Sequence, residues 1–232
     1  MAHLGIFAKY WQAGRVKTRL AAGLGNQPAA ELYLIFLEHL TASLMDCCDR
    51  RTLVYSPDQH RDAFVKQFGD AWNYVAQVEG GLGTRLSQFF SCPKNTPADG
   101  KLIVIGSDTP NLRPDMILQA SKRLDHSPVV LGPSEDGGYY LIGRNTHLSA
   151  NEVDLFDKIP WSTQGVLKET VRRLETAQVP YDQLPTMCDV DDLTDLRDLM
   201  RSLKATRNPT DLRLMERIQI YLPDPSFLEV SE

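Results

Sequence analysis

The feature that most constrains the fold is the segment 101–106 (KLIVIG), a continuous apolar run rich in β-branched residues. Such a run is typical of a strand that is buried on both faces of a sheet. Further strand-like segments are 4–8, 52–55, 73–77, 128–131, 139–142 and 181–184, and helical patterns lie between most of them. This alternation predicts an α/β fold, a three-layer sandwich in which helices cover both faces of a mostly parallel central sheet.

The length of 232 residues suits one large α/β domain, and a hydrophobic fraction of 42% is enough for a sizeable core. We therefore expect a single domain over residues 1–222 and a frayed tail over 223–232, which contains prolines and acidic residues. The apolar runs are too short to span a membrane, and the first residues do not resemble a secretory signal. These patterns predict a cytoplasmic protein without a membrane span.

The charge of the chain is unevenly distributed. A net charge of −5 argues against a nucleic-acid-binding protein. The first 30 residues nevertheless contain Lys9, Arg15, Lys17 and Arg19 and no acidic residue. A basic segment in an acidic protein indicates a local anionic partner, such as a phosphate.

Three of these basic residues alternate along 14–20 (GRVKTRL). In an extended loop they would project to one side, and in a helix Arg15 and Arg19 would still share a face. Arg offers paired donors to phosphate oxygens, and Lys offers a point charge. The spacing does not fit a P-loop, and a solvated basic loop is the alternative interpretation. We interpret the chain as far as about Pro28 as a loop that leads into a helix over 29–48.

Acidic residues occupy two further positions of interest. Asp108 follows the buried strand 101–106, where a carboxylate needs a cation or hydrogen bonds. A hard metal such as Mg²⁺ takes oxygen ligands and often bridges a carboxylate to a phosphate, whereas capping of the next turn is the alternative role. Asp189 and Asp191 alternate in 189–192 (DVDD) and would share one side of an extended segment, where a divalent metal could balance their repulsion. Helix capping is again the alternative, and Asp192 is well suited to it.

A glycine-rich stretch separates the last two strand-like segments of the central region. Asp136-Gly137-Gly138 is typical of a turn in a hairpin. Adjacent glycines also allow a ligand to approach the backbone closely. Asp136 could then hold a sugar hydroxyl or orient an acceptor.

Taken in order, these segments resemble a bacterial family of nucleotide-diphospho-sugar transferase-like proteins, which are glycosyltransferase-like proteins of the GT-A type. The family is related to 2-phospho-lactate guanylyltransferase and the sugar nucleotidyltransferases. The resemblance covers roughly residues 3–200 and includes 77–86 (QVEGGLGTRL) and 156–163 (FDKIPWST). It implies a Rossmann-like sandwich of the GT-A type with a mixed central sheet.

The resemblance also implies roles for the matching positions. The nucleotide would be bound by Phe7, Ala8, Lys9, Arg15, Lys17, Arg19, Gly83, Arg85, Ser107 and Asp108. Lys17, Arg19 and Asp108 would be the catalytic residues, and Asp136, Gly137, Gly138 and Trp161 would face the second substrate. A divalent metal, Mg²⁺ or Mn²⁺, would be held by Asp108, Asp189 and Asp191.

The activity that the resemblance implies first is metal-dependent glycosyl transfer from a nucleotide sugar to a small-molecule acceptor. The alternative is a nucleotidyltransferase that joins a nucleoside triphosphate to a phosphorylated small molecule and releases pyrophosphate. The basic loop favours this alternative, because a triphosphate carries more charge. Three positions depart from the family pattern: Trp11 replaces a usual Pro, Gly81 a usual Asp and Asp192 a usual Thr. Because of Gly81, a catalytically inactive nucleotide-binding module is a third possibility.

Overall fold

The computed structural model describes residues 2–148, 153–206 and 208–222. The predicted tail, 223–232, lies outside the described residues. Within them, seven strands form one sheet: β1 (His3–Lys9), β2 (Arg50–Ser56), β3 (Asn73–Ala76), β4 (Lys101–Ile105), β5 (Val129–Pro133), β6 (Tyr139–Asn145) and β7 (Tyr181–Gln183). The single-domain assignment for residues 1–222 stays a prediction.

The strands lie in the order β3-β2-β1-β4-β6-β5-β7. β1 pairs in parallel with β2 and β4, β2 with β3, and β5 with β7. β6 is antiparallel to both of its neighbours. The predicted mostly parallel, mixed sheet is therefore confirmed, and the carboxyl ends of β1 and β4 lie side by side.

Helices cover both faces of this sheet. Their bounds are α1 (Thr18–Leu24), α2 (Asn26–Ser43), α3 (Arg61–Phe68), α4 (Leu82–Ser91), α5 (Pro114–Arg123), α6 (Val166–Thr176), α7 (Leu193–Ala205) and α8 (Pro209–Gln219). Residues of α2, α3 and α5 pack with Leu4 and Ile6 of β1 on one face. Residues of α4 and α6 pack with Leu102 and Val104 of β4 on the other. Alternate strand residues thus enter opposite cores, which produces three layers. No described helix is long and apolar enough to cross a membrane.

The chain between β1 and α2 is more helical than the sequence suggested. The expected loop to about Pro28 ends at Lys17, because α1 begins at Thr18 and α2 already includes Pro28. Gly25, with a φ of 90° and a ψ of 160°, separates the two helices. Pro28 fits the first turn of α2 because that turn does not need its N–H. α1 then packs through Leu20 against α2 and α7 in a third hydrophobic cluster.

His3 in β1 is buried and hydrogen-bonds to Asn95 and to Thr52 of β2. His3 has no exposed surface, and its Nδ1 lies 2.5 Å from the carbonyl oxygen of Asn95. Because a carbonyl can only accept, Nδ1 carries the proton and Nε2 accepts from the Thr52 hydroxyl at 2.8 Å. Burial lowers the pKa of His3, with the charge of Arg50 adding to the effect. The packed sheet therefore favours the neutral imidazole.

Candidate functional site

A cavity of about 740 Å³ opens at the edge of the sheet where β1 and β4 end. Its walls come from the end of β1, the basic loop, the segment before α4, the residues after β4, the start of β6 and the acidic segment before α7. Ligands of parallel α/β sheets bind at this edge. The predicted nucleotide-binding residues that line it are Phe7, Ala8, Lys9, Arg15, Lys17, Arg19, Arg85, Ser107 and Asp108.

Tyr33 of α2 forms part of this cavity and ties its two central strands together. The Tyr33 hydroxyl accepts from the backbone N–H of Lys9 at 2.8 Å and shares a hydrogen bond of 2.8 Å with the Ser107 hydroxyl. Burial, with the charge of Asp108 adding to it, raises the pKa of Tyr33, so the hydroxyl stays protonated. Sequence reasoning missed this residue because Tyr33 stands among the apolar residues of a helix. A buried tyrosine needs a hydrogen-bond partner, but only the fold identifies that partner.

Lys17 points inward instead of projecting beside Arg15 and Arg19, as the extended-loop expectation required. Its side chain is 3% exposed, whereas that of Arg19 is 66% exposed. The reason is the backbone at Lys17, whose φ and ψ of 46° lie in the left-handed region and break the alternation. A residue other than glycine in this region costs on the order of 1–3 kcal/mol and is frequent at functional sites.

The Lys17 ammonium lies among oxygens from two distant segments. Nζ donates to the carbonyl oxygen of Val190 at 2.7 Å and lies 3.4 Å from Asp191 Oδ1. It also forms an ion pair with Asp108, whose side chain is 47% exposed. A backbone hydrogen bond of 2.8 Å from Val190 N to Asp108 O holds the two acidic segments together. The described residues therefore bring two carboxylates and one carbonyl to a single cation, and we call this group the oxygen nest.

Asp191 and Asp192 also contact Arg19. Arg19 Nη1 lies 3.4 Å from Asp191 Oδ2, and Nη2 lies 3.1 Å from Asp192 Oδ2. Asp192 at the same time caps α7, because its side chain accepts from the backbone N–H of Thr194 and Asp195. The predicted capping role of Asp192 is thus confirmed. Ion pairs therefore join the basic segment 14–20 to the acidic segment 189–192.

Asp189 and Asp191 both line the cavity, as expected for two residues on one side, but their hydrogen-bond partners differ. Its carboxylate accepts hydrogen bonds from Thr109 at 2.5 Å and from Ser134 at 3.0 Å. Burial, with the charges of Asp108 and Asp136 adding to it, raises the pKa of Asp189 to about 6, against the lowering effect of the two hydroxyls. Both carboxylate oxygens are thus already hydrogen-bonded.

The three predicted metal ligands, Asp108, Asp189 and Asp191, therefore differ in their contacts. No cluster of three or more His, Cys, Asp or Glu side chains suited to a metal occurs in the described part of the chain. Asp108 and Asp191 nevertheless converge on one point together with the Val190 carbonyl, and such hard oxygens are the ligands that Mg²⁺ and Mn²⁺ prefer. These residues fit a divalent ion, provided that the ammonium leaves. Asp189 lines the same cavity with both oxygens hydrogen-bonded, and its role as a third ligand stays a prediction.

The segment before α4 forms the opposite wall. Gln77 donates to the Val54 carbonyl at 2.6 Å and accepts from Arg85 Nη1 at 2.9 Å. Arg85 Nε also donates to the Gly80 carbonyl at 2.9 Å. At Gly81, no described atom lies within 4 Å of where a Cβ would be, so the usual Asp would fit. The change at Gly81 therefore opens space beside the cavity and is not imposed by packing. Gln77 was missed by sequence reasoning, although it begins the matching segment.

Gly83 does not line the cavity, and its predicted role in nucleotide binding stays a prediction. A Cβ at Gly83 would lie 2.3 Å from the Phe156 carbonyl oxygen and 2.5 Å from Trp161 Nε1. The glycine is therefore needed for close packing of α4 against residues 156–161. It instead borders a neighbouring cleft of about 370 Å³, together with Gly81 and Trp161.

The residues predicted to face the second substrate also lie outside the main cavity. Asp136 Oδ1 accepts from Gly138 N at 2.8 Å within the turn between β5 and β6. Gly137 has a φ of 86°, and a Cβ there would lie 2.4 Å from the Gln164 carbonyl oxygen. Trp161 donates to the Phe156 carbonyl at 3.2 Å and packs edge-on against Tyr139. These contacts give the residues structural roles, and their role towards a second substrate stays a prediction. The positions that do line the cavity nearby are Tyr139, Tyr140 and Ser162.

Comparison with known proteins adds family membership to this geometry. A family model described as "Uncharacterized protein conserved in bacteria (DUF2064)" matches residues 40–163. The chain belongs to the DUF2064 family. The match includes Arg85, Ser107 and Asp108 but leaves out the basic loop and the acidic segment. Curated proteins gave no match.

A crystal structure from Desulfovibrio desulfuricans G20, provisionally named a nucleotide-diphospho-sugar transferase, is 31% identical, with a TM-score of 0.82. The alignment covers 97% of this chain and 100% of that one. The inositol-1-phosphate CTP transferase from T. maritima is 16% identical, with a TM-score of 0.54 and coverage of 94% and 97%. CMP:2-keto-3-deoxy-manno-octonic acid synthetase, complexed with CTP, is 14% identical, with a TM-score of 0.53 and coverage of 88% and 98%. The resemblance and the fold class are thereby confirmed, and the last two structures speak for the fold alone.

Proposed function

We propose that the chain is a transferase that binds the phosphates of a nucleotide in the cavity at the ends of β1 and β4. The observation that carries the proposal is the charge of the lining. Among the described residues, the cavity is lined by five cations, Lys9, Arg15, Lys17, Arg19 and Arg85, against the acids Asp108, Asp189 and Asp191. Cationic side chains in such a cleft attract phosphate groups and stabilise the charge that develops on them during transfer.

In this proposal, different residues bind the phosphates, hold the metal and support the nucleoside. Arg15 and Arg19 bind phosphate oxygens, and Lys17 adds a point charge between them. The oxygen nest supplies ligands for Mg²⁺ or Mn²⁺, and such an ion would neutralise phosphate oxygens when bound. Gln77 and Arg85 fix the wall on which the nucleoside rests. Gly81 leaves that wall open towards the neighbouring cleft, which offers room for part of a second substrate.

Of the two chemistries, nucleotidyl transfer with release of pyrophosphate suits the excess of cations better, because a triphosphate has more charge to hold. Glycosyl transfer from a nucleotide sugar is the second candidate, supported by the name of the 31%-identical Desulfovibrio protein. Both reactions need the same phosphate site. The proposed acceptor is in either case a small molecule.

A thermal-shift panel tests the proposal, with nucleoside triphosphates and nucleotide sugars, each with Mg²⁺, with Mn²⁺ and with EDTA. A ligand at 100 times its Kd stabilises the folded state by about 2.7 kcal/mol. We expect a metal-dependent shift for at least one ligand, and a preference for triphosphate over nucleotide sugar if the reaction is nucleotidyl transfer. A panel without any shift would contradict the proposed site.

The phosphate site itself is tested by Arg15→Ala. Loss of a hydrogen bond to a charged group should weaken binding of the ligand found in the panel by about 1.5–3 kcal/mol. Arg201→Ala is the matched control, because Arg201 is an exposed arginine of α7 that pairs with Asp198 outside the cavity. Equal affinities of the two variants in calorimetric titration would show that Arg15 does not contact the ligand.

A further inference from the structure

We propose that Lys17 is the resident counter-cation of the oxygen nest and competes with a divalent metal for it. In the free protein the ammonium balances part of the negative charge of Asp108 and Asp191. A metal can take these oxygens only when Lys17 moves away, and an incoming anion provides the new partner that makes this move favourable. That the anion is a nucleotide phosphate rests on the proposed function.

The first support is the set of ligands at the ammonium. Lys17 Nζ donates to the Val190 carbonyl at 2.7 Å, lies 3.4 Å from Asp191 Oδ1 and pairs with Asp108. The ammonium thus hydrogen-bonds to two of these oxygens and forms an ion pair with the third. The same oxygens are the ones that a hard divalent ion would coordinate at about 2.0–2.6 Å. Ammonium and metal therefore need the same place.

The second support is burial. The Lys17 side chain is 3% exposed, whereas those of Asp108 and Asp191 are 47% and 39% exposed, so water only partly screens the ammonium from an ion bound at these carboxylates. Two like charges within a few ångströms repel each other in such a place, which opposes joint occupancy. Arg19 is different, because it is 66% exposed and contacts the other oxygen of Asp191. Arg19 can swing into solvent at small cost and does not block the ion.

The third support is the backbone at Lys17. Its left-handed conformation directs the side chain into the nest instead of along the surface of α1. The flexible four-carbon stem then allows the ammonium to reach a phosphate in the same cavity without a change of backbone. Lys17 can thus exchange a carboxylate partner for a phosphate partner by side-chain rotation alone.

The test is titration of the complete protein with Mn²⁺ alone, with free Mn²⁺ followed by electron paramagnetic resonance. Lys17→Met removes the charge and keeps the length of the side chain. We expect it to raise the affinity for Mn²⁺ by about 10-fold or more, a coupling in the range usual for linked sites. Arg19→Met is the matched control, for which we expect a change below about 3-fold because its charge is screened by solvent.

Two further variants keep the test decisive. Lys17→Asn also removes the charge, and asparagine tolerates the left-handed backbone, so it should give the same gain if Lys17→Met folds poorly. Asp108→Asn added to either variant should remove the gain, which places the ion in the nest. An unchanged or weaker affinity for Mn²⁺ in both Lys17 variants, or a gain that survives Asp108→Asn, would overturn the inference.

The titration contains no nucleotide, so its outcome is independent of the proposed transferase activity. A protein that binds no ligand in the thermal-shift panel, yet gains Mn²⁺ affinity on loss of Lys17, would contradict the proposed function and support the competition. The reverse pattern would support the function and contradict the competition.

Discussion

Removal of one hydroxyl, in Tyr33→Phe, tests whether the ends of β1 and β4 are held together through α2. Tyr33 is 3% exposed, and its hydroxyl bonds to both Lys9 N and the Ser107 side chain. A net contribution of about 1 kcal/mol for each hydrogen bond gives a loss of about 2 kcal/mol in the free energy of unfolding. For a chain of this length, that loss corresponds to a decrease of about 4–8 °C in Tm.

The assay is urea denaturation, in which the midpoint should fall while the slope stays constant. Tyr181→Phe is the matched control, because the Tyr181 hydroxyl bonds to Glu175 in solvent, and its loss should cost less than about 0.5 kcal/mol. Ser107→Ala combined with Tyr33→Phe should cost less than the sum of the single changes, since one bond is shared. Equal stability of Tyr33→Phe and Tyr181→Phe would refute the structural role of Tyr33.

The remaining predictions concern packing and protonation. Gly83→Ala should destabilise the protein by about 1–3 kcal/mol through overpacking against residues 156–161. Gly81→Asp should be neutral or stabilise the protein by a few tenths of a kcal/mol, because Asp is a good N-cap for α4. Thermal unfolding compares the two variants, and a similar loss of stability in both would contradict the packing argument. His3 has a lowered pKa, so the stability that it contributes is complete above its unfolded value of about 6.5 and is lost as the pH falls below that value. The stability of wild type relative to His3→Gln should therefore decrease from pH 7 to pH 5 in urea titrations, and a constant difference would disprove it.

The centre of the sheet could be predicted because β1, β4 and β5 contain continuous apolar runs whose side chains had to be buried on both faces. The same logic placed Lys9 and Asp108 at one edge, since both follow strands of a parallel sheet. α1 was missed because its short sequence, rich in alanine and glycine, has little helical periodicity, and its formation depends on packing of Leu20 against distant helices.

The details of the site depended on conformation that a pattern of residues does not contain. The alternation of Arg15, Lys17 and Arg19 indicated a shared direction, but a single left-handed residue reversed it at Lys17. Asp189 and Asp191 also alternate, yet their partners come from other segments and differ between them. The positions of site residues were therefore easier to predict at the ends of strands than within loops.

The oxygen nest joins residues that are very far apart along the chain, for Lys17 and Asp191 are separated by 174 positions. Closure of such a long loop is entropically costly and yields no contact until the intervening sheet exists. The nest should consequently be among the last parts of the molecule to form during folding. Binding of an ion or an anion there would report that the chain has folded as far as residue 191, and truncation before residue 189 would abolish it even if the sheet assembled.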